Sequence, residues 1–195
     1  MKEIKCELYH DNFQNFKRYD IPKAQLVIAD IPYNLGQNAY ASNVQEYGKQ
    51  YGFVHSYPLV FIKNFSAQVL KANMKIVGAT EYALVLYRDK LPKFRNNGHM
   101  VFNWFQWERD GKSVPKLHPT QKPIGVLKRL IEIFTDEGDV VIDPVAGSGA
   151  TLRAAYECGR NSYGFEVDRD FHAAAQERMI EPLFETQPYE QLSIF

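Results

Sequence analysis

The sequence predicts an α/β fold: a doubly wound, mostly parallel sheet that is covered on both faces and includes an antiparallel strand. Three observations point that way. Short apolar runs alternate along the chain with segments of helical periodicity. The runs are continuously apolar and do not alternate polar with apolar, as expected of strands buried on both faces. One of them, Val140-Val141-Ile142, passes directly into a glycine-rich turn and then a helical pattern.

Runs suited to strands occupy Ile4–Tyr9, Leu26–Ala29, Leu59–Ile62, Tyr82–Tyr87, Val140–Ile142 and Ser162–Phe165. Helical spacing covers Asn12–Tyr19, Pro123–Phe134, Leu152–Cys158 and Phe171–Ile180. Pro123 suits a first helical turn, where its missing N–H is not needed. No helical pattern separates Leu59–Ile62 from Tyr82–Tyr87, so these runs are expected to pair antiparallel. From Glu181 onward the chain carries Pro182 and Pro188 and is expected to be an extended tail, leaving residues 1–180 as the domain.

Composition bounds the reading. The 195 residues suit one domain with a sizeable core. A hydrophobic content of 45% with 24% charged residues is that of an ordinary globular protein. Formal net charge is zero, so a nucleic-acid partner would be held by a local patch and not by global attraction. Cys6 and Cys158 stand alone, with neither metal-ligand spacing nor a disulfide framework, and a reduced, cytoplasmic setting is expected. The first residues lack an apolar signal core, and no apolar run approaches membrane-spanning length.

The turn Asp143-Pro144-Val145-Ala146-Gly147-Ser148-Gly149-Ala150-Thr151 is the most informative stretch. Gly147 and Gly149 let the backbone turn sharply and a ligand come close. The next strand ends in Glu166, about 20 residues on, the separation at which an acid grips ribose hydroxyls. A triphosphate loop needs Lys-Ser/Thr after its last glycine, and Ala150-Thr151 stands there. A dinucleotide fingerprint needs a third glycine, and that position is Leu152. The leading carboxylate, Asp143, repels pyrophosphate and attracts an ammonium, which suits S-adenosylmethionine better. On these residues alone, a structural turn with a capping acid stays open.

Two further clusters carry chemistry. Leu26-Val27-Ile28-Ala29-Asp30-Ile31-Pro32-Tyr33 is a buried strand delivering a carboxylate at its end, followed by a flat aromatic. The pre-proline Ile31 is biased to extended backbone, which aims its carbonyl. Asp30 and that carbonyl form an acceptor pair for an exocyclic NH2, beside Tyr33 as a stacking surface. The bland alternative is a strand-end acid before a proline turn. His118-Pro119-Thr120-Gln121-Lys122-Pro123 is a rigid, basic loop entering a helix. Lys122 is placed to meet a cofactor carboxylate and Thr120 to donate a hydroxyl or cap the helix.

In this order, Asp30-Ile31-Pro32-Tyr33, His118–Pro123 and Asp143–Gly149 together resemble the β-class of DNA amino-methyltransferases, over nearly the whole chain from about Lys5 to Met179. The resemblance implies a Rossmann-like methyltransferase that uses S-adenosyl-L-methionine on double-stranded DNA. Asp143, Pro144, Ala146, Gly147, Ser148 and Gly149 would then line the cofactor pocket, with Glu166 on the ribose. His118, Thr120 and Lys122 would close over the methionine part, and Asp11, in Tyr9-His10-Asp11, would contact the adenine edge. Asp30, Ile31, Pro32 and Tyr33 would be the catalytic set. An aspartate-led motif goes with adenine N6 and a serine-led one with cytosine N4. The alternatives are cytosine N4, an RNA substrate, or a catalytically impaired DNA-binding module.

The chain departs from the family pattern in places. His10 stands where a glycine is usual, Val145 where phenylalanine is usual, and Ile31 replaces the first proline of the catalytic motif. Ile31 keeps the carbonyl but adds an N–H that needs a partner. Between Asn43 and Val44 the family carries a longer segment with a helix and an interior strand, so a missing segment is expected there. Its loss would leave strand edges unpaired.

Residues 88–117 are the expected DNA-contact loop. There Arg88, Lys90, Lys93, Arg95, Arg109, Lys112 and Lys116 interleave with Phe94, Phe102, Trp104, Phe105 and Trp107. Cations of this kind meet phosphates and aromatics stack on bases; the alternative is a solvated loop whose aromatics close over the core. Gln191-Leu192-Ser193-Ile194-Phe195 resembles the short peptide by which bacterial DNA-handling proteins dock on the replication sliding clamp. A homodimer is a further expectation for partners.

Overall fold

A computed structural model describes residues 3–30, 41–65, 68–71, 73 and 75–185. Ile31, Pro32, Tyr33 and the Gln191–Phe195 peptide lie outside the described residues. The elements in chain order are β1 (Cys6–Tyr9), a 3-10 turn (Phe13–Arg18), β2 (Leu26–Val27), α1 (Ala41–Gln50), β3 (His55–Lys63), β4 (Gln68–Lys71), β5 (Ile76–Gly78), β6 (Thr80–Tyr87) and β7 (Trp104–Trp107). They continue with α2 (Ile124–Phe134), β8 (Val140–Asp143), α3 (Ala150–Glu157), β9 (Asn161–Phe165), α4 (Arg169–Ala175), a π turn (Gln176–Ile180) and α5 (Pro182–Glu185). Two compact units result: residues 1–30 with 110–195, and residues 31–109.

The first unit is built on a sheet of order β1-β9-β8-β2, parallel throughout. All four residues of β8 are buried, as its unbroken apolar run requires. Successive side chains go to opposite faces. Val141 packs with Ile124, Leu127 and Ile131 of α2 and with Ala150, Ala154 and Ala155 of α3. Val140, Ile142 and Tyr163 face the other way, against Tyr9, Phe13, Ile21 and Ala24. Beside the helices, Leu8 and Leu152 join Ala175, Met179 and Ile180. Each large side chain so buried contributes roughly 1.5–3 kcal/mol.

The second unit holds β3 between β6 and β7, antiparallel to the first and parallel to the second, together with the β4–β5 hairpin. The expected antiparallel pairing of the runs around Leu59 and Tyr82 is therefore present.

Several sequence expectations need correction. Asn12–Tyr19 forms a 3-10 turn and no α-helix: the Asn12 side chain accepts from Gln14 N–H, and Asp11 ties Asn15 and Tyr19 into a tight loop. Pro123 sits one residue before α2 with extended backbone, and no side chain of its own caps that helix. Asp110 does so instead, accepting from Ile124 N–H at 2.8 Å. Trp104–Trp107 is a strand, not loop, and Trp107 is buried. The start of the expected tail is helical, with Leu183 buried and Phe184 set edge-on to Tyr156. Helix α1, which was not among the expected helices, spans the Asn43–Val44 junction.

The amino-terminal edge of the first unit's sheet is closed by the buried Arg160. Its guanidinium donates to the Thr135 hydroxyl at 3.0 Å, the Thr135 carbonyl at 2.9 Å and the Cys158 carbonyl. Nearby, Gly138 N–H donates to the Gly159 carbonyl and Asn161 Nδ2 to the Gly138 carbonyl, both at 2.8 Å.

Gly164 fixes how closely α3 and the glycine turn lie on β9. A Cβ there would stand 2.6 Å from Leu152 Cδ1 and 3.0 Å from Ala146 Cβ. Leu152 is fully buried and has nowhere to swing. Gly164→Ala is expected to cost about 1–3 kcal/mol of stability through overpacking, measured by urea unfolding; an unchanged midpoint would refute so close an approach.

Candidate active site

Because β2, β8 and β9 run parallel and adjacent, their carboxyl ends share one edge, where ligands bind in open α/β sheets. Each delivers an acid there: Asp30 three residues past β2, Asp143 at the end of β8 and Glu166 directly after β9. From Asp143 the chain turns through Gly147 (φ 51°) and Gly149 (φ 74°) into α3, backbone values that favour glycine. Ala146 N–H donates to the Phe165 carbonyl and Gly147 N–H to Glu166 Oε2, both at 2.8 Å, so the turn is laced to the end of β9. Ser148 is buried under the turn. A Cβ on Gly147 would meet nothing within 4 Å, which leaves that side of the turn open.

Asp143 is only 4% exposed. Burial pushes its carboxyl up to about 6, opposed by hydrogen bonds from the Thr151 side chain and the Val145 N–H and reinforced by the charges of Asp30 and Glu166. Those two acids are thus close enough to act on it. Glu166 accepts from Gly147 N–H with one oxygen and from Asp168 N–H with the other. Each oxygen keeps a second lone pair for a further donor.

The loop before α2 is locked by Gln121. Its side chain accepts from Leu117 N–H at 3.0 Å and donates to the Pro115 carbonyl at 3.0 Å. His118 Nδ1 accepts from the Thr120 hydroxyl at 2.9 Å, and its ring packs on Phe171 of α4 at 4.7 Å. Thr120 therefore caps nothing. Lys122 reaches the strand ends, where its Nζ donates to Asp30 Oδ2 at 2.7 Å.

Asp11 is already engaged. Its carboxylate accepts from Tyr19 OH at 2.6 Å and from Asn15 Nδ2 and Asn12 N–H at 2.7 Å each, and these bonds hold it below the usual carboxylate range. Val145, 42% exposed, stands where the family carries phenylalanine, and Val167, 62% exposed and missed from sequence, adds apolar surface past the end of β9. An exposed valine carries no sequence signal of its own. Its place after a strand-end acid was the clue for Val167.

The cation-rich segment divides. Within the second unit, Arg88 lies over Phe53 at 5.0 Å and Arg109 over Phe65 at 3.9 Å. Phe61 packs edge-on to Trp107. Leu91, Phe94, Met100, Phe102 and Trp104 stay exposed, and Phe102 stacks on Trp104 at 5.8 Å.

A raised carboxyl has a pH signature. Asp143 titrates near 6 in the folded state against an ordinary 3.8, so the folded state binds more protons between those values. Its contribution to stability is then lost as pH rises through that window, by at most about 3 kcal/mol. Asp143→Asn keeps an acceptor for Val145 N–H without the charge. Its stability relative to the parent is expected to rise between pH 4 and 6 in urea titrations; a pH-independent difference would contradict the burial of a charge.

Comparison with known proteins follows the same lines. The profile of a family described as DNA methylase, covering N6 and N4 enzymes, matches residues 48–177. A DNA adenine methyltransferase, YhdJ of Escherichia coli K12, is 30% identical over 138 residues, 68% of this chain and 47% of its own length. The chain spans about half the length of the curated relatives it matches first. Among solved structures, M1.HpyAVI in complex with SAM superposes with a TM-score of 0.75 at 20% identity, over 89% of this chain and 98% of that one. The PvuII cytosine-N4-specific DNA methyltransferase gives 0.70 at 14% identity, over 91% and 88%. Both likenesses establish the Rossmann-like methyltransferase fold. Among the described residues no helix is long and apolar enough to cross a membrane. With its fold and most of its length matched in this way, the chain belongs to the N6/N4 DNA methylase family.

Proposed function

We propose that this chain transfers a methyl group from S-adenosyl-L-methionine to the exocyclic N6 amine of an adenine turned out of double-stranded DNA. The observation that carries the reading is the convergence of Asp30, Asp143 and Glu166 at adjacent parallel strand ends beside the open side of Gly147. Family membership and the adenine methyltransferase among its relatives support it.

The residues present fit the cofactor. Val145 and Val167 offer two apolar surfaces for an adenine ring, though a valine stacks less than an aromatic. Glu166 has lone pairs left for two ribose hydroxyls. Asp143 is a buried carboxylate on which the charges of Asp30 and Glu166 act, and an ammonium beside it would relieve that cost. Pro144, Ala146, Ser148 and Gly149 shape the turn around these groups. His118 packs on Phe171 and bonds Thr120, and Asp11, whose oxygens serve Tyr19 and Asn15, is assigned to the adenine edge. When bound, the cofactor supplies an electrophilic methyl on sulfur.

The chain's own part is to position the acceptor. The target amine sits inside a duplex, so its base must leave the stack at a cost of a few kcal/mol. Asp30 accepts one N–H of the amine and the Ile31 carbonyl the other, with Tyr33 stacked on the base; for Ile31, Pro32 and Tyr33 the support is the sequence motif. This arrangement aims the nitrogen lone pair, and alignment of this kind supplies up to roughly 7–11 kcal/mol. Asp30 also offsets the positive charge that grows on nitrogen during transfer and then accepts its proton. DNA contact is assigned to the cations and exposed aromatics of residues 88–117.

Cytosine N4 is the second reading, because the same acceptor pair holds either amine and the family covers both. Neither the fold nor the relatives support a sliding-clamp partner or a homodimer.

The deciding experiment is transfer from labelled cofactor to unmethylated duplex DNA, followed by mapping of the modified base. N6-methyladenine is the expected product, and N4-methylcytosine would move the assignment to the second reading. Asp30→Ala should lower transfer by on the order of 10²–10³-fold while cofactor affinity, read by calorimetry, persists. Equal activity would remove Asp30 from the chemistry.

A further inference from the structure

Lys122 is held by a partner that the proposed chemistry needs free. Its ammonium sits 2.7 Å from Asp30 Oδ2, on the carboxylate assigned to the target amine. While it remains there it competes with the amine for an acceptor oxygen and cancels the charge that would offset the developing cation. Resting on the function proposed above, we propose that Lys122 couples the two sites: the cofactor's α-carboxylate draws the lysine off Asp30, and Asp30 then becomes available to the target amine.

Four observations support the exchange. The pair is partly open to water, with 21% of the lysine side chain and 37% of the aspartate exposed, and such pairs are weak and readily remade. The lysine's backbone is fixed, because the Gln121 side chain clamps the loop at Leu117 and Pro115. Only the four-carbon stem has to move, and that stem is flexible. Finally, the ligand carries a group of opposite charge for each side of the broken pair. Asp30, Asp143 and Glu166 form one strand-end cluster of acids, which Lys122 meets at Asp30. A ligand carboxylate replaces the partner that the lysine gives up, and a ligand ammonium adds a cation to the cluster of acids.

An exchange makes a thermodynamic statement about the chain without its DNA. Binding of a carboxylate-bearing ligand must break the Lys122–Asp30 pair, whereas binding of the same nucleoside without the amino-acid part need not. The probes are S-adenosylhomocysteine and 5′-methylthioadenosine, titrated by calorimetry into the full chain. Lys122→Gln is expected to weaken S-adenosylhomocysteine at least about fivefold and to leave methylthioadenosine within twofold. Lys122→Arg, which keeps the charge, should recover much of the loss and so separates this role from a folding defect. The decisive comparison is a cycle with Asp30→Asn, which releases the lysine. Relative to the same change made in Lys122→Gln, Asp30→Asn in the parent should favour S-adenosylhomocysteine by about fivefold or more. An identical effect of Asp30→Asn in both backgrounds, or equal weakening of both ligands by Lys122→Gln, overturns the coupling. Failure of the parent chain to bind either ligand would instead overturn the cofactor assignment on which it rests, and the coupling with it.

Discussion

An acid held almost out of water at the end of a fully buried strand is the constraint around which this edge of the molecule is arranged. Asp143 cannot retreat, because β8 is paired on both sides and buried at every residue. Its charge is tolerated only through donors supplied locally, by Thr151 in the first turn of α3 and by the backbone of Val145. The glycine turn exists to bring those donors round. The same turn is tied to Glu166 through Gly147 N–H, so two of the three acids are placed by one short backbone excursion. A site assembled from backbone in this way is rigid where it must be and leaves its unsatisfied electrostatics facing outward.

Much of this was legible in the sequence, and the reason is that strand ends are dictated by local pattern. An unbroken apolar run followed by an acid and glycines specifies a buried strand, its terminus and the turn together. Asp143, Gly147 and Glu166 therefore fell where they were expected. What the pattern could not show was how side chains far apart in the chain meet. Lys122 meets Asp30, which lies 92 residues away in the chain, a pairing no local spacing announces. Asp110 caps α2 from outside the helix, where no spacing rule looks. Thr120, the obvious local cap, is instead turned towards His118.

The second unit was the harder half to read. Its strand β7 is aromatic and embedded in a stretch rich in cations, so composition suggested an exposed loop. Pairing with β3 divides that stretch: Trp107 goes inward against Phe61, while Phe102 and Trp104 remain on the surface as a stacked pair. The period-two alternation of a strand separates them, and it was masked by every residue being aromatic or polar enough for either environment. Helix α1 was likewise unforeseen, because Ala41–Gln50 carries no sustained apolar stripe.

The Arg160 staple lies at the opposite end of the first unit's strands from the acids. It fills three carbonyl or hydroxyl acceptors with one guanidinium, and the adjoining Gly138–Gly159 and Asn161–Gly138 bonds close the same edge. The sheet is therefore bolted at its rear and electrostatically tense at its front. The two ends of the strands are thus held by different means, a buried guanidinium at one and a backbone turn between acids at the other. Drift in sequence among the rim residues can accordingly retune chemistry while the hinge-free base goes on specifying the same architecture.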